Sequence, residues 1–173
     1  MKRLDLRPGD GFLVKTGSWI GRRINSVQAF YSKDKQSTYN HCGIIVNSSG
    51  VTLEALGKVC HKNIYTTYKK CPILIVRHKK MTQELFDEVY PQIAKHKNDR
   101  YPYWRLLFFC IPGMAEHINL SKLLVCSELF TKYFVLCRLM KKYLGVNVDD
   151  LHDKIKNSDN WQIIYQDKLI NSK

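Results

Sequence analysis

The sequence predicts an α+β fold: a mostly antiparallel sheet, or a small barrel, packed against helices. Short β-rich runs cluster in the first half of the chain, and two of them flank the turn signal Asn47-Ser48-Ser49-Gly50. After Met81 the apolar residues recur at helical spacing instead of alternating. Strands gathered early, with helices before and after them, are the mark of this class.

Each element has a local reason. Pro8-Gly9-Asp10-Gly11 is a turn signal, and residues 12–15 read as the first strand. Ser18 can cap a helix whose Ile20, Ile24 and Val27 share one face. Residues 33–40 are a polar loop. Cys42-Gly43-Ile44-Ile45-Val46 is β-rich, and the turn after it leads into a strand over 51–56. Residues 59–64 and 73–76 add strands. Thr82 can cap a helix carrying Leu85, Val89 and Ile93 on one face, which Pro91 is expected to disturb. A strong helix starts near Val125 or Cys126 and runs to about Leu144, ended by Gly145. Residues 148–156 read as a short helix and 161–165 as a final strand. With no repeat and no linker, a single domain over 1–173 is the simplest account.

The chain has 173 residues, 45% of them hydrophobic and 25% charged, which excludes a disordered polymer. A chain of this length buries roughly two-thirds of its unfolded surface, so it needs no disulfide or metal to hold a core. The net charge of +13 points to a polyanionic partner or to solubility alone. The basic start is followed by no apolar stretch, so no signal peptide is read and a cytoplasmic location is expected. The apolar run 106–112 is far shorter than the ~18 residues that cross a bilayer. The six cysteines form no compact framework and are expected as reduced thiols.

Cys126 carries the strongest chemical expectation. It stands at the start of the longest expected helix, where unpaired N–H groups and the macrodipole favour an anion. A thiolate is the nucleophilic form, and such a position lowers its pKa from about 8.5. The plain alternative is a buried, inert thiol. A thiol nucleophile also needs a base. His41, where a polar loop enters a strand, is the best placed; a surface histidine without a role is the alternative. Glu54 follows on the next strand, which pairing about 47–50 brings beside the strand of His41. It alternates away from Leu53 and Ala55. Burying it would be costly unless it were paired, so an imidazole partner is attractive; an exposed edge-strand glutamate is the alternative. Papain-type proteases place Cys before His, but one constellation is reached in several chain orders.

Here the chain resembles a family. Tyr39-Asn40-His41-Cys42-Gly43-Ile44, Glu54-Ala55 and Val125-Cys126-Ser127-Glu128-Leu129 resemble motifs of the circularly permuted papain-like amidases of the NlpC superfamily, the YiiX-like group. Leu6-Arg7-Pro8-Gly9-Asp10 is similar to the opening of that group, and Val148-Asp149-Asp150-Leu151 with residues 161–165 to its ending. The resemblance implies a permuted papain-like fold and a cysteine amidase or peptidase. It implies Cys126 as nucleophile, His41 as base and Glu54 as the group orienting His41. The backbone N–H of Cys126 would then serve the oxyanion hole. Residues 98–103 loosely match the stretch before the family's catalytic helix; Trp19, Tyr101, Tyr103 and Ser127 are expected to line the substrate cleft.

The expected substrate is a small peptide or other amide, with cell-wall peptide and lipid as classes, and an anionic surface as a further partner. No cofactor is expected. Lipid chemistry of the lecithin–retinol acyltransferase type shares an early His and a later helix-opening Cys, and the aromatic stretch 101–109 suits a membrane interface. A non-enzymatic nucleic-acid-binding domain is the third reading, but the basic residues are scattered and no known DNA-binding motif accompanies them. Cys60-His61 with Cys71, and His41-Cys42, supply soft ligands without metal-site spacing, so no metal is expected.

Overall fold

The computed structural model describes residues 4–17, 38–99, 125–141 and 146–169. Strands β1 (Gly11–Val14), β2 (His41–Ile45), β3 (Val51–Leu56), β4 (Lys58–Asn63), β5 (Pro72–His78) and β6 (Trp161–Lys168) form one sheet in the order β4-β3-β2-β1-β5-β6. Every neighbouring pair is antiparallel. Four helices accompany it among the described residues: α1 (Ile64–Thr67), α2 (Gln83–Ala94), α3 (Cys126–Leu136) and α4 (Val148–Lys156). The sheet is open, which settles the choice against a barrel. Its β4 edge is covered: the Val59 N–H donates to the Asp99 carbonyl at 2.9 Å, and the Asn98 N–H to the Val59 carbonyl at 2.8 Å. Backbone groups occupied in this way need no closing strand.

The strands β1, β2 and β5 read as apolar runs because both of their faces are buried, whereas the edge strands β4 and β6 are largely polar and exposed. On one face Leu13, Cys42, Ile44, Leu53, Ala55, Leu74 and Val76 pack with residues of α2, α3 and α4. On the other, Phe12, Val14, Ile45, Ile73 and Ile75 pack with Leu6, Ile64, Tyr68 and Leu169. Fully burying one such side chain contributes about 1.5–3 kcal/mol, so the sheet is the rigid part on which a site can be built.

The turn between β2 and β3 forms as its residues dictate. The Asn47 side chain accepts from the N–H groups of Ser49 and Val51, each at 3.1 Å, and Gly50 takes φ +84°. Helix α2 begins at the expected cap, with the Thr82 hydroxyl accepting from Leu85 N–H at 3.2 Å. Helix α4 spans the expected residues, capped by Asn147, whose side chain accepts from Asp150 N–H at 2.8 Å.

Four expectations need correction. Residue 64 is not in a strand: Asn63 ends β4 because its side chain accepts from Tyr65 N–H and starts α1. Pro91 does not disturb α2, which continues to Ala94. Pro91 and Asp87 are both exposed, so the carbonyl it leaves unpaired faces water. Helix α3 stops at Leu136, well before Leu144 and Gly145. Arg138 turns left-handed at φ +58°, Arg138 N–H donates to the Val135 carbonyl at 2.9 Å, and Leu139 N–H to the Phe134 carbonyl at 2.8 Å. This pattern closes a helix and is normally made by glycine, so no residue type announced it. Strand β6 runs on to Lys168, beyond the expected 165, because it pairs along the whole of β5. The helix expected from Ser18, with Ile20, Ile24 and Val27, lies outside the described residues.

Candidate active site

Three elements deliver the expected residues. Residue His41 opens β2, Glu54 lies in the middle of β3 and Cys126 opens α3, which packs against both strands. The antiparallel register sets Gly43 opposite Glu54, so His41 and Glu54 are diagonal neighbours on one face of the sheet. Position 43 must be glycine. A Cβ there would come within 2.7 Å of the Phe12 ring and 2.9 Å of the Leu53 carbonyl oxygen. The Phe12 ring instead lies over the strand, edge-on to the His41 imidazole at 6.3 Å between centroids. Asn40 fixes the entry to β2: its side chain accepts from Thr16 N–H and donates to the Thr16 carbonyl, both at 2.9 Å.

The Nε2–H of His41 donates to Glu54 Oε2 at 2.7 Å. That carboxylate is fully buried, and its remaining capacity is used as burial requires. The Thr52 hydroxyl donates to Oε1 at 2.6 Å, and the Tyr68 hydroxyl donates to Oε2. Burial alone would push the Glu54 carboxyl up; the hydrogen bonds and the His41 charge outweigh it and hold the group below its ordinary range. Burial of Tyr68, with the Glu54 charge beside it, pushes the phenol far up, so it stays a donor.

With Nε2 engaged by Glu54, Nδ1 is the imidazole nitrogen left for a further partner. Burial works against a charged imidazole, but the hydrogen bonds and charges of Cys126 and Glu54 win and raise its pKa to about 10. The Cys126 thiol moves the other way. A hydrogen bond from the Cys42 side chain lowers it most; burial opposes, and the hydrogen bond and charge of His41 lower it further. The arrangement therefore favours a thiolate beside an imidazolium. The N-cap is Val125, whose side chain has no acceptor; the carboxylate of the first turn is the buried Glu128, which accepts from Val125 N–H at 3.3 Å.

The remaining expectations divide. Ser127 is buried as the second residue of α3, and its carbonyl accepts from the Thr131 hydroxyl at 2.8 Å. Trp19, Tyr101 and Tyr103 lie outside the described residues. Tyr68 and Thr52 join the array although no sequence motif singles them out. Thr52 was discoverable, since it shares a face with Glu54 at period two. Tyr68 follows a single helical turn and carries no periodic signal. His78 is buried against Trp161 at 5.0 Å between rings.

No protein-family model matches the chain, and no curated protein matches it. Among solved structures, the crystal structure of metalloprotein yiiX from Escherichia coli O157:H7 superimposes with a TM-score of 0.60 at 15% identity, covering 93% of this chain and 97% of that one. The chain shares the yiiX fold. At that identity the likeness reaches the architecture and stops there. Among the described residues no helix is long and apolar enough to cross a membrane.

Proposed function

We propose that the chain is a cysteine hydrolase of the amidase or peptidase type, built as a circularly permuted papain-like domain. One observation carries this reading: a cysteine opens the helix that packs on β2 and β3, the two strands whose His41 imidazole and buried Glu54 carboxylate are hydrogen-bonded to each other. This division of labour is what nucleophilic catalysis by cysteine requires.

In this reading the Cys126 thiolate attacks the carbonyl carbon of an amide, and a C–S bond forms. The Cys126 backbone N–H stabilises the oxyanion. The His41 imidazolium gives its Nδ1 proton to the departing nitrogen as the C–N bond breaks, leaving a thioester on Cys126. His41, now neutral, takes a proton from an incoming water; the C–S bond breaks and the acid is released. Glu54 keeps the imidazole oriented and stabilises its charged form. A small peptide or related amide fits this chemistry, and the positive charge of the chain favours an anionic one or one presented on an anionic surface.

The structural neighbour yiiX is described as a metalloprotein. Among the described residues here, no group of three or more His, Cys, Asp and Glu side chains is arranged to hold a metal ion. No step is routed through one. The lipid reading leaned on the stretch 101–109, outside the described residues.

The test is to trap the acyl-enzyme. A chromogenic activated acyl ester is incubated with the chain, and the adduct is mapped by peptide mass. We expect one acyl group on Cys126, released by hydroxylamine and absent from Cys126→Ala. An adduct on another cysteine, or none, overturns the proposal.

A further inference from the structure

We infer that the end of the sheet carrying His41 is a docking face for an anionic phospholipid bilayer, which presents the amide substrate at the membrane surface. The substrate part rests on the hydrolase reading; the docking itself is a matter of charge and exposure.

The sheet register builds this face. His41 pairs with Val14, Val14 with Ile73 and Ile73 with Asp167, so one row crosses four strands at the level of the imidazole. Carried two residues past Gly43 and Glu54, the β2–β3 register brings Leu56 level with His41. Lys58 pairs with Leu56 on β4. One step further out, Lys15 follows Val14, and Lys168 pairs with Pro72. Lys69 and Lys70 lead into β5 from Tyr68, whose hydroxyl reaches Glu54. All five lysines are exposed. They extend from β4 to β6, about 24 Å at the usual strand spacing, and His41 lies within their span.

The acids near this end are already engaged. Asp99 pairs with His96 at 2.8 Å, Asp149 accepts from Thr38 N–H at 3.2 Å, and Asp150 accepts from the Asn147 side chain at 2.7 Å. Asp167 accepts from Lys168 N–H at 2.6 Å. Lys58, Lys69, Lys70 and Lys168 form no salt bridge among the described residues.

The side chains select the occupant. Each of these cations is a lysine, a mobile point charge, rather than an arginine fork that reads one phosphate or carboxylate. Their span is about three times the ~8 Å over which salt screens an exposed charge. A small anion therefore meets one or two of them, and an extended surface meets them all. Leu56 stands among the cations with 42% of its surface exposed. An anionic bilayer takes both kinds of side chain, the lysines at its headgroups and the leucine at the acyl boundary.

The test sediments the full chain with vesicles of phosphatidylcholine, alone or mixed with phosphatidylserine, and reads binding without turnover. Lys69→Gln with Lys70→Gln is compared with Lys79→Gln with Lys80→Gln. The second pair is also exposed but follows His78 at the opposite end of β5, so both double variants lose the same charge. Thermal melts show that each is folded. We expect binding to the mixed vesicles alone, weakened about 25-fold in the first double variant, at about fivefold per lysine, and less than about threefold in the second. Leu56→Ser should weaken the binding that survives at high salt, where charge is screened. No binding to the mixed vesicles, equal losses in the two double variants, or stronger retention of a DNA duplex or polyglutamate than of the mixed vesicles overturns the docking face. Docking that persists in a chain whose Cys126 takes no acyl group would instead overturn the hydrolase reading.

Discussion

Among the described residues Asp10, Glu54 and Glu128 are the wholly buried carboxylates, and the first two do opposite things. Asp10 closes the turn before β1. Arg77 grips it through both oxygens, Nε to Oδ1 at 2.7 Å and Nη2 to Oδ2 at 2.8 Å, and Arg7 N–H adds a third bond at 2.8 Å. Burial dominates and leaves that carboxyl above its usual range despite the guanidinium. Glu54 also accepts three hydrogen bonds, from His41, Thr52 and Tyr68, yet is held below its usual range. The deciding difference is the partner. A guanidinium has no proton to exchange, so Asp10 and Arg77 form a fixed clasp. An imidazole can exchange its proton, and His41 passes the influence of Glu54 on to a thiol. Burial of an acid is thus no sign of chemistry by itself; the mobility of its partner's proton is.

The contrast yields variants that should separate the two clusters. Glu54→Gln removes the charge and keeps the shape. His41 loses the partner that helps hold it at about 10, and turnover should fall about 10²–10⁴-fold with little change in thermal midpoint. Arg77→Ala should do the reverse. It strands a buried charge and should cost about 3–5 kcal/mol in urea unfolding, while the alkylation rate of Cys126 in the folded protein stays native. A large loss of alkylation in Arg77→Ala would break the comparison. Tyr68→Phe is the subtler test. Deleting one of three donors to Glu54 should cost about 1–3 kcal/mol and, by leaving the carboxylate a stronger acceptor for His41, move the alkaline limb of turnover above its native position. An unmoved limb would reduce Tyr68 to packing.

The pH dependence of stability has a sign that can be worked out. His41 is raised from 6.5 to about 10, so its contribution is complete below 6.5 and is lost as pH rises through about 10. Cys126 is depressed, so its contribution is complete above its ordinary value of 9.0 and is lost as pH falls through the folded value. Above 6.5, and between the folded value of Cys126 and 9.0, the two slopes oppose each other, because pairing moves a proton inside the protein. The pair should therefore add less pH dependence to unfolding there than either group alone.

Much of this was legible in the chain. Runs such as Ile73-Leu74-Ile75-Val76 announce strands buried on both faces, and the cap at Thr82 announces α2. Alternation about Leu53 and Ala55 gave the face of Glu54, and the turn at 47–50 gave its neighbour His41. What was not legible depends on contacts distant in sequence. Arg77 reaches Asp10 from another strand, and Tyr68 reaches Glu54 after a lone helical turn. Such pairs leave no period in the sequence. The end of α3 was hidden for a local reason: arginine, not glycine, takes the left-handed position.

The central claim is that Cys126 rests as a thiolate beside a charged His41. Its most direct test is the pH profile of Cys126 alkylation in the native chain, resolved by peptide mass. The account predicts a rate nearly level from about pH 8 down to about pH 6, where an ordinary thiol slows about 100-fold. A profile that climbs tenfold per pH unit through neutrality to a midpoint near about 8.5 would contradict it.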